Sequence, residues 1–201
     1  LLHEQNAVMG LTNRILSRFV DVVCLTFPLQ GKEPAKPEKY VLTGLPVRQD
    51  ILRTSRDKGI RALGLDPTRK TLLITGGSQG AKHLNETTAA LWREFLEYNI
   101  QIIHIAGPKL FASMKQEALK LGLGAPQGLY IYDYIHNMND ALWAADLIIG
   151  RAGASFLAEV TSVGAASILI PYPYAAGNHQ EANAKALVDA GAAIMILDKD
   201  L

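Results

Sequence analysis

The chain has 201 residues, 49% hydrophobic and 19% charged, and Lys+Arg 20 against Asp+Glu 19 leave a net charge of +1. That length suffices for one sizeable core or two small ones, and the composition excludes disorder, a collagen-like chain and a nucleic-acid coat. A single cysteine, Cys24, excludes an intramolecular disulfide framework and a cysteine zinc site and suits a reducing compartment, and no run approaches the roughly 18 apolar residues of a membrane span.

The chain opens Leu1-Leu2-His3-Glu4, with no initiator Met and no charged segment leading into an apolar one. That start reads as the end of a strand already under way in a longer protein, not as a signal peptide. Short β-rich runs follow at residues 20–27, 71–75, 101–106, 129–132, 147–149, 166–170 and 193–197. Several are continuously apolar, as parallel strands covered on both faces are. Between them, Leu84, Thr88, Leu91 and Phe95 recur at helical spacing, as do Phe156, Val160 and Val163 ahead of Gly164, and residues 181–190 end at Gly191 in the same way. This alternation predicts an α/β fold with a doubly wound parallel sheet.

Residues 31–40, with Pro34 and Pro37, read as a surface loop, and a charged helix is expected over 50–63. The break at Gly44-Leu45-Pro46-Val47-Arg48 suggests the division: 1–43 as the tail of one domain, 44–48 as a hinge, and 49–201 as most of a second domain that lacks its closing helices.

Three loops have the residues for chemistry. Strand 71–75 runs through Gly76-Gly77-Ser78-Gln79-Gly80-Ala81 into a helix, a layout that brings backbone N–H groups to an anion at the positive helix end. Ser78 either donates its hydroxyl to that anion or caps the helix, and the run is neither G-x-G-x-x-G nor a P-loop. A structural tight turn fits it as well as phosphate binding does. Gly150-Arg151-Ala152-Gly153-Ala154-Ser155 repeats the layout, with Glu159 one turn into its helix. That carboxylate can accept hydrogen bonds from paired ribose hydroxyls or complement the helix dipole. The third loop, from Pro171 to Ala184, bunches polar residues at a helix start. Asn178 and Glu181 fit a capping box, whereas the amides of Gln180 and Asn183 suit sugar hydroxyls.

The five histidines show no metal-ligand spacing, and His104 reads as a satisfied core residue. G-x-S-x-G is absent, and the one D-x-D, Asp198-Lys199-Asp200, is expected away from the glycine loops, which speaks against a metal-held nucleotide diphosphate.

Taken together and in order, His3-Glu4-Gln5-Asn6-Ala7-Val8, Gly44-Leu45-Pro46-Val47-Arg48, Gly76-Gly77-Ser78-Gln79-Gly80-Ala81, Arg151-Ala152-Gly153-Ala154 with Glu159, and Asn178-His179-Gln180 with Asn183-Ala184 resemble the MurG family of bacterial peptidoglycan glycosyltransferases over essentially the whole chain. The resemblance implies the GT-B architecture, two Rossmann-like domains with the nucleotide sugar between them. It implies inverting transfer of N-acetylglucosamine from UDP-GlcNAc to lipid I, giving lipid II, at the cytoplasmic side of the bacterial membrane. It further implies no cofactor, no metal and no nucleic-acid partner, with the membrane surface and lipid I met by the domain preceding Leu1.

By the same resemblance, Asn6 touches the sugar and Arg48 faces the diphosphate from the hinge. Ser78 meets the phosphate region, Ile135 offers its backbone to uracil, Ala154, Ser155, Phe156, Leu157, Ala158 and Glu159 hold pyrophosphate and ribose, and Gln180 binds sugar hydroxyls. The family's catalytic histidine and its other glycine loop are expected before Leu1, so no general base is named here. Leu45 and Phe156 depart from the family, which usually has Asn and a small polar residue at these positions. Two other readings compete: a UDP-sugar 2-epimerase, for which no convincing pair of acid/base carboxylates is found, and a nucleotide- or NAD-binding module. The NAD reading is weakened by the missing acidic residue after the strand at 102–106.

Overall fold

A computed structural model describes residues 1–29, 34–77 and 80–201. Two parallel sheets organise them. Strands β1 (Leu2–Glu4), β2 (Val23–Leu25) and β3 (Tyr40–Leu42) form the first, in that order, with helix α1 (Leu11–Leu16) between β1 and β2. The second contains β4 (Lys70–Thr75), β5 (Ile100–Ile105), β6 (Leu129–Tyr132), β7 (Leu147–Gly150), β8 (Ala166–Leu169) and β9 (Ala193–Met195). Its spatial order is β6-β5-β4-β7-β8-β9, every pair parallel. The sheet therefore winds outward in both directions from the β4–β7 pair, the doubly wound arrangement expected from the sequence.

Helices α2 (Arg56–Ala62), α3 (Lys82–Ala90), α4 (Trp92–Glu97), α5 (Phe111–Lys120), α6 (Met138–Ala144), α7 (Ala154–Ser162) and α8 (His179–Asp189) supply the covering layers. Alternate residues of one strand point to opposite faces. Leu72 and Ile74 of β4 thus join Leu84, Trp92 and Met114 in one core cluster, while Leu73 joins Ile60, Leu142 and Val160 in another. A third cluster unites Ala7 and Phe27 from the first sheet's segment with Leu157, Ala184 and Leu187 of α7 and α8.

Several sequence-based boundaries shift. The strand expected at 20–27 is reduced to Val23–Leu25, because its partners β1 and β3 offer only three paired positions each. The loop expected at 31–40 lies partly outside the described residues; its described end is a 3-10 turn, Pro37–Lys39, entering β3. The helix expected over 50–63 is broken at Thr54 and Ser55, both extended, into a short turn Ile51–Arg53 and α2. The break leaves the Ile51 carbonyl open, and Trp143 Nε1 donates to it at 2.6 Å.

The run holding Leu84, Thr88, Leu91 and Phe95 is likewise two helices, α3 and α4, parted at Leu91. Leu91 is exposed, and Trp92 takes the fully buried place instead. A polar contact explains why. Trp92 Nε1 donates to His104 Nδ1 at 3.2 Å, and the other ring nitrogen of His104 lies 3.1 Å from Asn85 Oδ1. Asn85 Nδ2 in turn donates to the Ala106 carbonyl at 2.8 Å. Since Nδ1 accepts, Nε2 holds the proton and donates to Asn85, and the ring is neutral.

Burial lowers the His104 pKa from 6.5 to about 3. An imidazole depressed in the fold contributes stability that is complete above its unfolded pKa and lost as pH falls from 6.5 toward 3. At about 1.36 kcal/mol per pH unit, roughly 2 kcal/mol of unfolding free energy should disappear between pH 7 and pH 5. Urea denaturation at the two pH values measures this, and His104→Gln should flatten that part of the slope.

Candidate functional site

The site is built at the carboxyl edge of the second sheet. Thr75, the last residue of β4, is paired in register with Gly150, the last of β7. Chain order reverses between these two strands, so their following loops diverge to opposite faces and open a crevice, the usual ligand position in such sheets.

Two hollows occupy the crevice and share Thr75, Gly77 and Phe156. The smaller, of about 370 Å³, is lined by Arg48, Ile135, Ser155 and Glu159 among others. The larger, of about 650 Å³, is bounded by the glycines after β4, by Arg151, Tyr172 and Gln180, and by His83 and Asp198.

The loop after β4 turns at Gly77 and Gly80, both at positive φ. A side chain at Gly80 would run into the Ala106 carbonyl at the end of β5, so only glycine lets the loop lie this close to the sheet. Ser78 lies outside the described residues. On the β7 side, a Cβ at Gly150 would fall 2.8 Å from Phe156 Cε1, so the missing side chain is what seats the Phe156 ring between the hollows.

Helix α7 begins at Gly153, which is extended and offers no capping side chain. Leu157 makes the first backbone bond of its turn, to the Gly153 carbonyl at 3.0 Å, which leaves the N–H groups of Ala154, Ser155 and Phe156 at the open helix end. This is the environment an anion needs. One amide of the loop is already engaged, since Ala152 N–H donates to Gln180 Oε1 at 3.1 Å.

Glu159 is half-buried under Arg48, whose Nη2 lies 3.7 Å from Glu159 Oε1. Burial raises the Glu159 pKa, Arg48 opposes the rise, and Asp50 adds to it. The backbone of Ile135 enters no hydrogen bond with the described residues, and its side chain is buried.

The remaining expected site residues divide. Gln180 Oε1 takes a second N–H, from Tyr172 at 2.9 Å, so only Nε2 is left to face the larger hollow. Asn6 lines neither hollow; its Oδ1 accepts from Asn183 Nδ2 at 3.1 Å. Leu157 and Ala158 also turn away, lining a separate hollow against Phe27 and Leu45. A helix start exposes only its first amides, and the residues one turn further in have already entered the ladder.

Three further expectations are corrected. Asn183 is fully buried and has no atom to spare for a sugar: it accepts from Ala7 N–H at 2.8 Å and donates to Asn6 and to the Ala152 carbonyl, both at 3.1 Å. The capping box does not form, because Asn178 adopts a left-handed conformation and its Nδ2 bonds Glu181 Oε2 at 2.6 Å instead of capping the backbone. Asp198 is not remote from the glycine loops. Arg151 pairs with its Oδ1 and His83 Nδ1 lies 3.1 Å from its Oδ2, at the wall of the larger hollow. A separation of 115 residues hid this contact from the sequence. Among the described residues, no group of three or more His, Cys, Asp or Glu is placed to hold a metal ion.

Comparison with known proteins agrees with the fold. Residues 71–201 match the family described as Glycosyltransferase family 28 C-terminal domain. The UDP-N-acetylglucosamine--N-acetylmuramyl-(pentapeptide) pyrophosphoryl-undecaprenol N-acetylglucosamine transferase of Halothermothrix orenii is 46% identical over all of this chain and 56% of its own length. The chain thus spans about half the length of the curated relatives it matches. The crystal structure of Acinetobacter baumannii MurG superposes with a TM-score of 0.73 at 34% identity, covering 99% of this chain and 53% of that one. The kitacinnamycin glycotransferase, at 16% identity and a TM-score of 0.64 over 91% of this chain and 44% of its own, shares the fold.

Asn183 ties residues 6 and 7 to the loop after β7, so Asn183→Leu would strand the Ala7 N–H and the Ala152 carbonyl in a buried place. A loss of about 3 kcal/mol in urea-induced unfolding free energy is expected.

Proposed function

Because the chain belongs to glycosyltransferase family 28, whose C-terminal domain it contains over residues 71–201, we propose that it forms the donor-binding part of an inverting transferase that moves N-acetylglucosamine from UDP-GlcNAc to lipid I. The observation that carries this reading is the pair of hollows joined at Gly77 and Phe156, beside the open amides of α7. Uridine enters the smaller hollow, the diphosphate lies across the junction, and the sugar occupies the larger one.

In this reading each group acts by ordinary chemistry. The Ile135 backbone pairs with the uracil edge. The Glu159 carboxylate, acceptor-only when ionised, takes hydrogen bonds from the ribose hydroxyls, with Arg48 keeping it charged against the cost of burial. The amides of Ala154, Ser155 and Phe156 receive the diphosphate, and Gln180 Nε2 donates to a sugar oxygen. As the bond from anomeric carbon to phosphate oxygen breaks, negative charge grows on the departing UDP. Donors fixed at a helix start stabilise that charge without reorganising, which lowers the barrier.

The hydroxyl of the acceptor attacks from the opposite face and loses its proton to a base outside these 201 residues. Residues 1–43 serve as the edge of the acceptor domain, 44–48 as the hinge and 49–201 as the donor domain. The enzyme works as a peripheral protein on the cytoplasmic face of the membrane, and no helix of the described residues is long and apolar enough to cross one.

Calorimetric titration tests the reading. Glu159→Gln should weaken UDP about tenfold and inorganic pyrophosphate far less, since the ribose contact is lost while the amides of α7 stay in place. Equal losses for the two ligands would remove Glu159 from the ribose.

A further inference from the structure

Three side chains distant in sequence meet at the wall of the larger hollow. Arg151 follows β7, His83 sits in the first turn of α3, and Asp198 lies in the 3-10 turn Asp198–Asp200 after β9. Arg151 is well buried; its Nη1 donates to the Ile170 and Pro171 carbonyls at 3.2 Å and pairs with Asp198, and its guanidinium lies 5.6 Å from the Tyr172 ring centre. Burial pushes the Asp198 carboxyl up, but its bonds to His83 and Arg151 prevail and hold it below the ordinary carboxylate range. An ionised carboxylate only accepts, so the His83 nitrogen facing it, Nδ1 at 3.1 Å, is the one bearing the proton. That assignment leaves Nε2 without a partner among the described residues, on a half-exposed ring at the hollow's edge.

We propose that His83 is a contact for the donor sugar, its Nε2 meeting a hydroxyl or acetamido group in the larger hollow, and that Asp198, braced by Arg151, is the positioning residue that fixes the ring's orientation and tautomer. The inference rests on the donor-site reading and deepens it by adding a specificity determinant to the hollow that Gln180 also lines. In the tautomer with its proton on Nδ1, His83 accepts at Nε2 while Gln180 Nε2 donates, so the two side chains read opposite hydrogen-bonding senses of one ligand. The contact does not reach the uridine, because His83 lines the larger hollow and not the smaller one.

Amide substitutions separate this contact from a purely structural latch. An Asn carboxamide at position 83 places its NH2 near the former Nδ1 and keeps the bond to Asp198, but it has nothing at the Nε2 position. A Gln carboxamide reaches the Nε2 position. UDP-GlcNAc and UDP are titrated calorimetrically into the unaltered chain, His83→Asn and His83→Gln. The expected result for His83→Asn is a loss of about tenfold for UDP-GlcNAc with UDP affinity held within about twofold, partly restored in His83→Gln. Unchanged affinity for both ligands in His83→Asn, or an equal fall in both, would overturn the sugar contact while leaving the donor site standing. If the unaltered chain bound neither ligand, the donor-site reading would fall, and this inference with it.

Discussion

Everything at the candidate site descends from the parallel pairing of β4 with β7, since parallel strands deliver their carboxyl ends to one edge and the two halves of the sheet then wind away from each other. The chain leaving β4 must enter a helix on one face and the chain leaving β7 a helix on the other. Two helix starts and their loops are thereby held side by side without any residue being chosen for that purpose. Glycines at 80 and 150 adjust the fit, one by letting a loop touch the end of β5, the other by making room for Phe156.

Buried amides then hold the loops in place. Gln180 gathers N–H groups from the loops after β7 and β8 on a single oxygen. Asn183, one helical turn later, ties the loop after β7 to residues 6 and 7 of the first sheet's segment. Each is a short-range substitute for secondary structure where the backbone has none, and each removes a buried unsatisfied group that would otherwise weigh against the fold. The Arg151, Asp198 and His83 set does similar work in the same hollow, with an ion pair where the amides use neutral hydrogen bonds.

Sheet class, the strands of the second sheet and the glycine loops were legible in the sequence because apolar runs and glycine clusters are local signals, whereas β3, of three residues, was hidden behind the loop expected at 31–40. The core role of His104 was legible too, from the apolar residues on either side of it. The break in the helix at Leu91 was not, because it depends on Trp92 reaching His104 on the strand that follows. At the site, Glu159 and Ile135 could be named from motifs and do line the smaller hollow, whereas Leu157 was drawn in only by sitting in the same run. Asn183 misled for a physical reason: a carboxamide suits a sugar and a buried backbone equally, and composition cannot distinguish them. Asp198 was expected away from the glycine loops because its partners, His83 and Arg151, lie on two other strand–helix units.

The divided use of Gln180 has a consequence for ageing of the protein. Hydrolytic deamidation would turn this side chain into a carboxylate whose oxygen still accepts both loop amides, so the loops would keep their course. The opposite atom would change from a donor into a second anionic oxygen at the border of the crevice. Such a molecule would fold, pass every test of shape, and repel any phosphate-bearing ligand, a form of chemical damage invisible to assays that follow only foldedness.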